Sequence, residues 1–221
     1  RNNLTGEQRV LRVYNFPLLA TEEQRSHLES RARWEAQVLA QLGQSPYVLW
    51  ADPPFQDEAG IVLPLEPFQG ISLPTWLERH GKLLKKKQNR ENLRARVEIW
   101  LKLVRGIAHA HNQGVVHRLL RPEVIMLEDR VDDPDLRITG FDLAKRMSTD
   151  STVIISTMDD ERLICSAPEV VSAFSDADPR SDQFSLGALL GLLLTGRPLF
   201  ENTRNLMAQG RLITRVRDLS P

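Results

Sequence analysis

The chain has 221 residues, 41% hydrophobic and 26% charged, which suits a soluble protein with one large domain or two small lobes around a buried core. Twenty-nine basic residues balance twenty-nine acidic ones, so no net charge draws it to nucleic acid or an anionic membrane surface. Cys165 is the single cysteine, which excludes an intrachain disulfide framework and suits a reducing, cytoplasmic compartment. The N-terminus RNNLTGEQR is too polar for a signal peptide. The longest uncharged apolar stretch, residues 184–196, is too short to span a bilayer.

Residues 4–14, LTGEQRVLRVY, predict a turn and then a strand. Along that strand Arg12 alternates with Leu11 and Val13 and points to the opposite face. Residues 21–42 predict a helix. Thr21 and Gln24 have the spacing of a capping box, and Glu22 and Glu23 sit where the helix dipole favours acids. Leu28, Ala32, Leu39 and Leu42 share one face of this helix, and Glu35 falls on the same face. A carboxylate on a core-facing stripe needs a cationic partner or an edge position in water.

Two strand-like runs follow, Tyr47–Trp50 and Ile61–Leu65. PLEPFQG, 64–70, reads as a hinge. A helix begins at Leu73, and the basic stretch 81–90 reads as a solvated face. Residues 91–112 keep the clearest helical period, with Gly114 placed to follow the end. VVHRLLRPEVIML then predicts strand, loop and strand; DDPD at 132–135 predicts a turn and LRITGF a further strand. Residues 145–165 read as a loop, 181–196 as an apolar helix and 201–215 as a weak helix. This order is an α+β, two-lobed pattern, with residues 1–66 as a small β-rich lobe and 67–221 as a mainly helical one.

Several motifs in this order resemble the eukaryotic-type protein kinase fold. VLRVY, 10–14, resembles the strand that carries the phosphate-orienting lysine, and Glu35 the glutamate of the first long helix. VVHRLLRPEVIML resembles the catalytic loop H-R-D-L-K-P-E-N with its flanks, and RITGFDLAK the metal-binding D-F-G segment. SAPE, 166–169, resembles the A-P-E motif, and residues 181–200 the central buried helix. The resemblance implies that Arg12 stands in for the lysine and meets Glu35. On this reading the glycine-rich loop lies before the chain's first residue and the last helices after Pro221.

The same resemblance implies lost chemistry. Leu119 stands where the catalytic aspartate would, Val124 where the metal-holding asparagine would, and Gly140 where the D-F-G aspartate would. Arg121 replaces the loop lysine and Asp142 the motif's glycine. Groups that mark the fold persist: His117 and Phe141 of the apolar stack between lobes, with Leu39 and Val48 as its upper members, and Asp182 beneath the catalytic loop. Glu169 matches the A-P-E glutamate with Arg197 as its expected partner, and Arg118 matches the arginine that binds a phosphorylated loop. The phosphoacceptors would be Ser148, Thr149, Ser151, Thr152, Ser156 and Thr157.

Three functions remain open from the sequence. The first is a pseudokinase that scaffolds or regulates a protein partner or another domain of a longer chain, as in kinase-like regions of bacterial multidomain proteins. The second is an active serine/threonine kinase that recruits Asp142, Glu123 or Glu128 in place of the missing acids. The third is a metal-independent ATP sensor built on Arg12, Glu35, Met126 and the hinge backbone at Glu66–Phe68. ATP is thus a candidate ligand, magnesium is not expected to be held, and neither nucleic acid nor membrane is an expected partner.

Overall fold

The computed structural model describes residues 8–15, 21–57, 60–86, 90–147 and 164–199. The expected phosphoacceptors and the weak helix at 201–215 lie outside these residues. An antiparallel sheet is built from β1 (Val10–Asn15), β2 (Phe55–Asp57) and β3 (Gly60–Leu65), in the order β1-β3-β2. β3 is buried along its whole length, as the central strand of the three. β1 is an edge strand, and its period of two divides it: Arg12 and Tyr14 turn inward, while Leu11 is 55% exposed on the other face.

Helix α1 (Glu22–Leu42) packs on this sheet. The Thr21 hydroxyl accepts from the Gln24 amide, and the Gln24 side chain accepts from the Thr21 amide, so both halves of the capping box form. The expected strand at 47–50 does not form. Prolines at 46, 53 and 54 flank the run and limit its extension. What remains are single bridges, Val48 to Ile138 and Ala51 to Leu65.

Beyond residues 66–70 the chain is mainly helical. β4 (Ile71–Ser72) leads into α2 (Leu73–Lys86), which carries the basic stretch further as helix than expected. The 23 residues of α3 (Arg90–Asn112) follow, and Gly114 closes its end at φ +72°. A small β cluster comes next: β5 (Val115–Val116), β6 (Ile125–Leu127), β7 (Leu136–Ile138) and β8 (Lys145–Arg146). β8 pairs with β5, so the segment expected to be loop from 145 onward begins as a strand. The short α4 (Pro168–Ser172) precedes α5 (Pro179–Thr195).

α5 is apolar nearly all round, which suits a helix buried on most sides. Asp178 caps it with Ser181, Pro179 takes the first turn, and Gly196 ends it in the left-handed region. Trp100 of α3 donates its indole N–H to the Leu186 carbonyl at 2.9 Å, joining the two long helices. Leu103, Ile107, Ile125, Phe141 and Leu189 lie in the same core, which continues upward through Leu39 and Val48 to Leu63. Among the described residues no helix is long and apolar enough to cross a membrane.

Candidate functional site

Glu35 is the buried carboxylate that the helix pattern singled out, and it is 1% exposed. Arg12 Nη1 donates to its Oε1 at 2.5 Å, and the Tyr14 hydroxyl donates to Oε2. Burial pushes the Arg12 guanidinium down, but the Glu35 charge and bond outweigh it, and Arg12 ends above its ordinary value. Burial, then the same carboxylate, pushes the Tyr14 phenol up, so it stays a protonated donor. Sequence reasoning found Arg12 and missed Tyr14. Its signal was available, because residues two apart on a strand share a face.

Below α1, the segment from His117 to Val124 is held from beneath by Asp182 of α5. This fully buried carboxylate accepts from the backbone N–H of His117 at 2.8 Å and of Arg118 at 2.9 Å. It also bonds the His111 ring at 2.8 Å. Asp182 thereby fixes Arg118 at φ +68°, a conformation that costs a non-glycine residue about 1–2 kcal/mol. The His117 ring packs on Phe141 with centroids 4.7 Å apart, and its Nε2 bonds the Thr139 carbonyl at 2.9 Å.

Burial holds the His117 imidazole below its ordinary value, against the pull of Asp182 and the Thr139 carbonyl. A buried neutral histidine makes stability pH-dependent. Below about pH 6.5 the unfolded chain takes up a proton that folded His117 refuses, so stability is present above that pH and falls as pH drops towards the folded value. Between pH 7 and pH 5, urea unfolding of His117→Phe should lose stability less steeply than the parent, by up to about 1.4 kcal/mol per pH unit. Equal slopes would assign the acid sensitivity elsewhere.

The positions expected to carry chemistry are apolar in the structure as well as in the sequence. Leu119 is buried in a small cluster with Leu143, flanked by Val171 and Phe174. Val124 is also buried. Gly140 has φ +80°, and a Cβ there would lie 2.6 Å from Val124 Cγ1. Asp142 Oδ2 accepts from Arg31 Nε at 2.9 Å and from Arg31 Nη2. Arg121 pairs with Glu123 at 3.2 Å, and Glu128 pairs with Arg130 at 2.7 Å. Met126 is half-buried on β6 opposite Ser72 and Arg137.

At the hinge, Glu66 Oε1 accepts from Arg137 Nε at 2.8 Å, and the Arg137 guanidinium lies 4.9 Å from the Phe68 ring centroid. The Phe68 N–H donates to the Glu66 carbonyl at 2.9 Å. Pro67 between them has its φ preset for this tight turn. Glu169 does not take Arg197 as its partner. It accepts from the Ser181 hydroxyl at 2.6 Å, and the cation that feels its charge is Arg180. Arg197 follows the left-handed Gly196 that ends α5 and is exposed.

The sequence model of the protein kinase domain matches residues 12–218. The chain belongs to the protein kinase family. The serine/threonine-protein kinase pkn3 of Myxococcus xanthus is 29% identical over 198 residues, covering 87% of this chain and 34% of that protein. The mitogen-activated protein kinase hog1 of Aspergillus glaucus is 24% identical over 204 residues, 90% of this chain and 48% of that protein. MAP kinase-interacting serine/threonine-protein kinase 1 of Xenopus tropicalis is 28% identical over 199 residues, 84% and 45% respectively. The chain spans about a third to a half of the length of these curated relatives.

For this kinase domain the implied ligand is ATP with magnesium. The described residues do not fit the metal. Magnesium takes oxygen ligands in near-octahedral geometry. Val124 and Gly140 supply no side-chain oxygen, and the Asp142 carboxylate is engaged by Arg31. The Phe68 N–H is likewise engaged, by the Glu66 carbonyl.

Among the described residues one arginine is buried. Arg118 is 1% exposed, its three guanidinium nitrogens carry no hydrogen bond, and it lies 4.9 Å from the Phe174 ring centroid. Burial brings its pKa down to about 10, with Asp182 opposing.

Proposed function

We propose that this kinase domain is a pseudokinase, a module that works by binding a protein partner or another domain of a longer, cytoplasmic protein. Residues 1–66 and 67–221 would be its two lobes. The observation that carries the reading is the packing at the three chemical positions. Leu119 is part of an apolar cluster, and Val124 fills the space that any side chain at 140 would need. Phosphoryl transfer is mainly positioning and charge neutralisation. A general base alone contributes roughly 10²–10⁴-fold, so losing base and metal ligands together leaves little.

The relatives' names speak for the competing reading, an active serine/threonine kinase with a substituted acid. Against it stands the pairing of Asp142 with Arg31. Against a metal-free sensor stands the internal Glu66–Phe68 bond. The test is thermal unfolding with ATP, with and without Mg²⁺ or Mn²⁺, beside a phosphotransfer assay. A ligand that binds only the folded state raises the midpoint. The pseudokinase reading expects no transfer and no metal-dependent shift. A shift with ATP alone would favour the sensor. Metal-dependent transfer that collapses in Asp142→Asn would overturn the proposal.

Regulation by phosphate is the second part of this reading. The unpaired guanidinium of Arg118 is the reason to expect an anion there. The serines and threonines between 148 and 157 are the phosphoacceptors the sequence offers for it. Glutamate substitutions at those positions should raise the midpoint in the parent and leave Arg118→Met unchanged.

A further inference from the structure

Three residues on one face of α1 reach two separate pieces of the chain, β1 and the strip from 140 to 146. Arg31, Trp34 and Glu35 stand three and four positions apart, the spacing that aligns side chains on a helix. Glu35 is tied to β1 through Arg12 and Tyr14. Trp34 Nε1 donates to the Ala144 carbonyl at 3.0 Å. Arg31 Nε donates to Asp142 Oδ2 at 2.9 Å, and Nη2 donates to the same oxygen. The Arg146 guanidinium also lies 5.9 Å from the centroid of the Trp34 ring.

The strip from 140 to 146 is itself anchored on two sides. Val116 and Lys145 are partners across the β5–β8 pair. Lys145 Nζ donates to the Ser175 carbonyl at 2.8 Å and the Ala177 carbonyl at 3.2 Å. α1 therefore connects to the His117 segment and to the turn before α5 through this one strip.

We propose that Arg31, Trp34 and Asp142 form a ligand-independent clamp that holds α1 inward, with Asp142 acting as a positioning group for the helix. The set divides into a permanent and a releasable part. Glu35 is buried with both oxygens bonded, so separating it from Arg12 would leave a carboxylate in the core. Arg31 and Asp142 are 44% and 20% exposed, so water and salt can compete for that pair. The clamp opens at Arg31–Asp142 first, and a displacement of the strip after Asp142 is passed to α1 through Trp34. This goes beyond the pseudokinase reading, since a clamp of this kind is a statement about what positions α1 and not about turnover.

The test is hydrogen exchange of the α1 amides, followed in the whole chain without nucleotide. Asp142→Asn and Arg31→Gln should each raise exchange across α1 by about two- to fivefold, the range of a partly exposed ion pair. The charge-swapped double variant, Arg31→Asp with Asp142→Arg, should return exchange to within about twofold of the parent. Trp34→Phe should loosen α1 and shrink the effect of Asp142→Asn. Unchanged exchange in both single variants would overturn the clamp, as would a double variant no better than the worse single one. Mg²⁺ that alters α1 exchange in the parent and not in Asp142→Asn would make the carboxylate a metal ligand and also overturn it. Phosphotransfer is read separately, so the clamp and the pseudokinase reading can fail independently.

Discussion

Asp182→Ala should lower the thermal midpoint by roughly 4–24 °C. The cost comes from the groups that the substitution orphans. The amides of His117 and Arg118 lose their acceptor at 2.8 and 2.9 Å, and the His111 ring loses a partner. Each buried amide left unsatisfied costs about 1–3 kcal/mol, giving about 2–6 kcal/mol for the pair. In a chain of this size one kcal/mol shifts the midpoint by about 2–4 °C. The left-handed strain at Arg118 would also be released, and the segment carrying His117, Arg118 and Leu119 would lose its register over α5. Asp182→Asn is the informative companion. It keeps one carbonyl oxygen, so it should cost clearly less than alanine. If alanine costs under about 1 kcal/mol, water replaces the carboxylate and the segment is not held from α5.

Much of this framework was legible in the sequence because it is local or periodic. The capping box at Thr21 and Gln24 needs only a spacing of three. Glu35 announced itself as a charge on an apolar stripe, and a buried charge demands a partner. The end of α3 followed from Gly114, a glycine that suits a left-handed turn. The reading failed where neighbours decide. Tyr47–Trp50 had strand-like residues, but Val48 and Ala51 each meet a different partner and prolines prevent a longer ladder. Arg31 with Asp142, and Arg137 with Glu66, join positions 111 and 71 residues apart, and no period in the sequence encodes such pairs. Glu169 shows the opposite hazard. An arginine was assigned to it by resemblance, whereas the hydroxyl of Ser181 is in place as a by-product of capping α5.

Gly140→Asp, which would restore the aspartate expected at that position, should destabilise the domain by about 2–5 kcal/mol and restore no phosphoryl transfer. Two terms set the cost. The backbone there has φ +80°, which charges a residue with a Cβ about 1–2 kcal/mol. The Cβ would also meet Val124 at 2.6 Å to Cγ1 and 3.2 Å to Cβ, and overpacking of that kind costs about 1–3 kcal/mol. The second term belongs to the pair. In a Val124→Ala background the Cγ1 contact is gone, and Gly140→Asp should cost about 1–2 kcal/mol less than in the parent, a coupling read directly from a double-mutant cycle in urea. Equal costs in both backgrounds would mean the strain lies in the backbone alone. The coupling has a consequence for chemistry. The aspartate at 140 is not restored without strain by itself, because the valine at 124 crowds a side chain there. Activity would then need both positions changed together, and Leu119 replaced by an acid as well. That last change would put a carboxylate into the apolar cluster with Leu143, Val171 and Phe174, where burial opposes its ionisation. A triple variant that folds and still transfers no phosphate is therefore the expected result, and its inactivity would trace to a base held protonated among apolar neighbours.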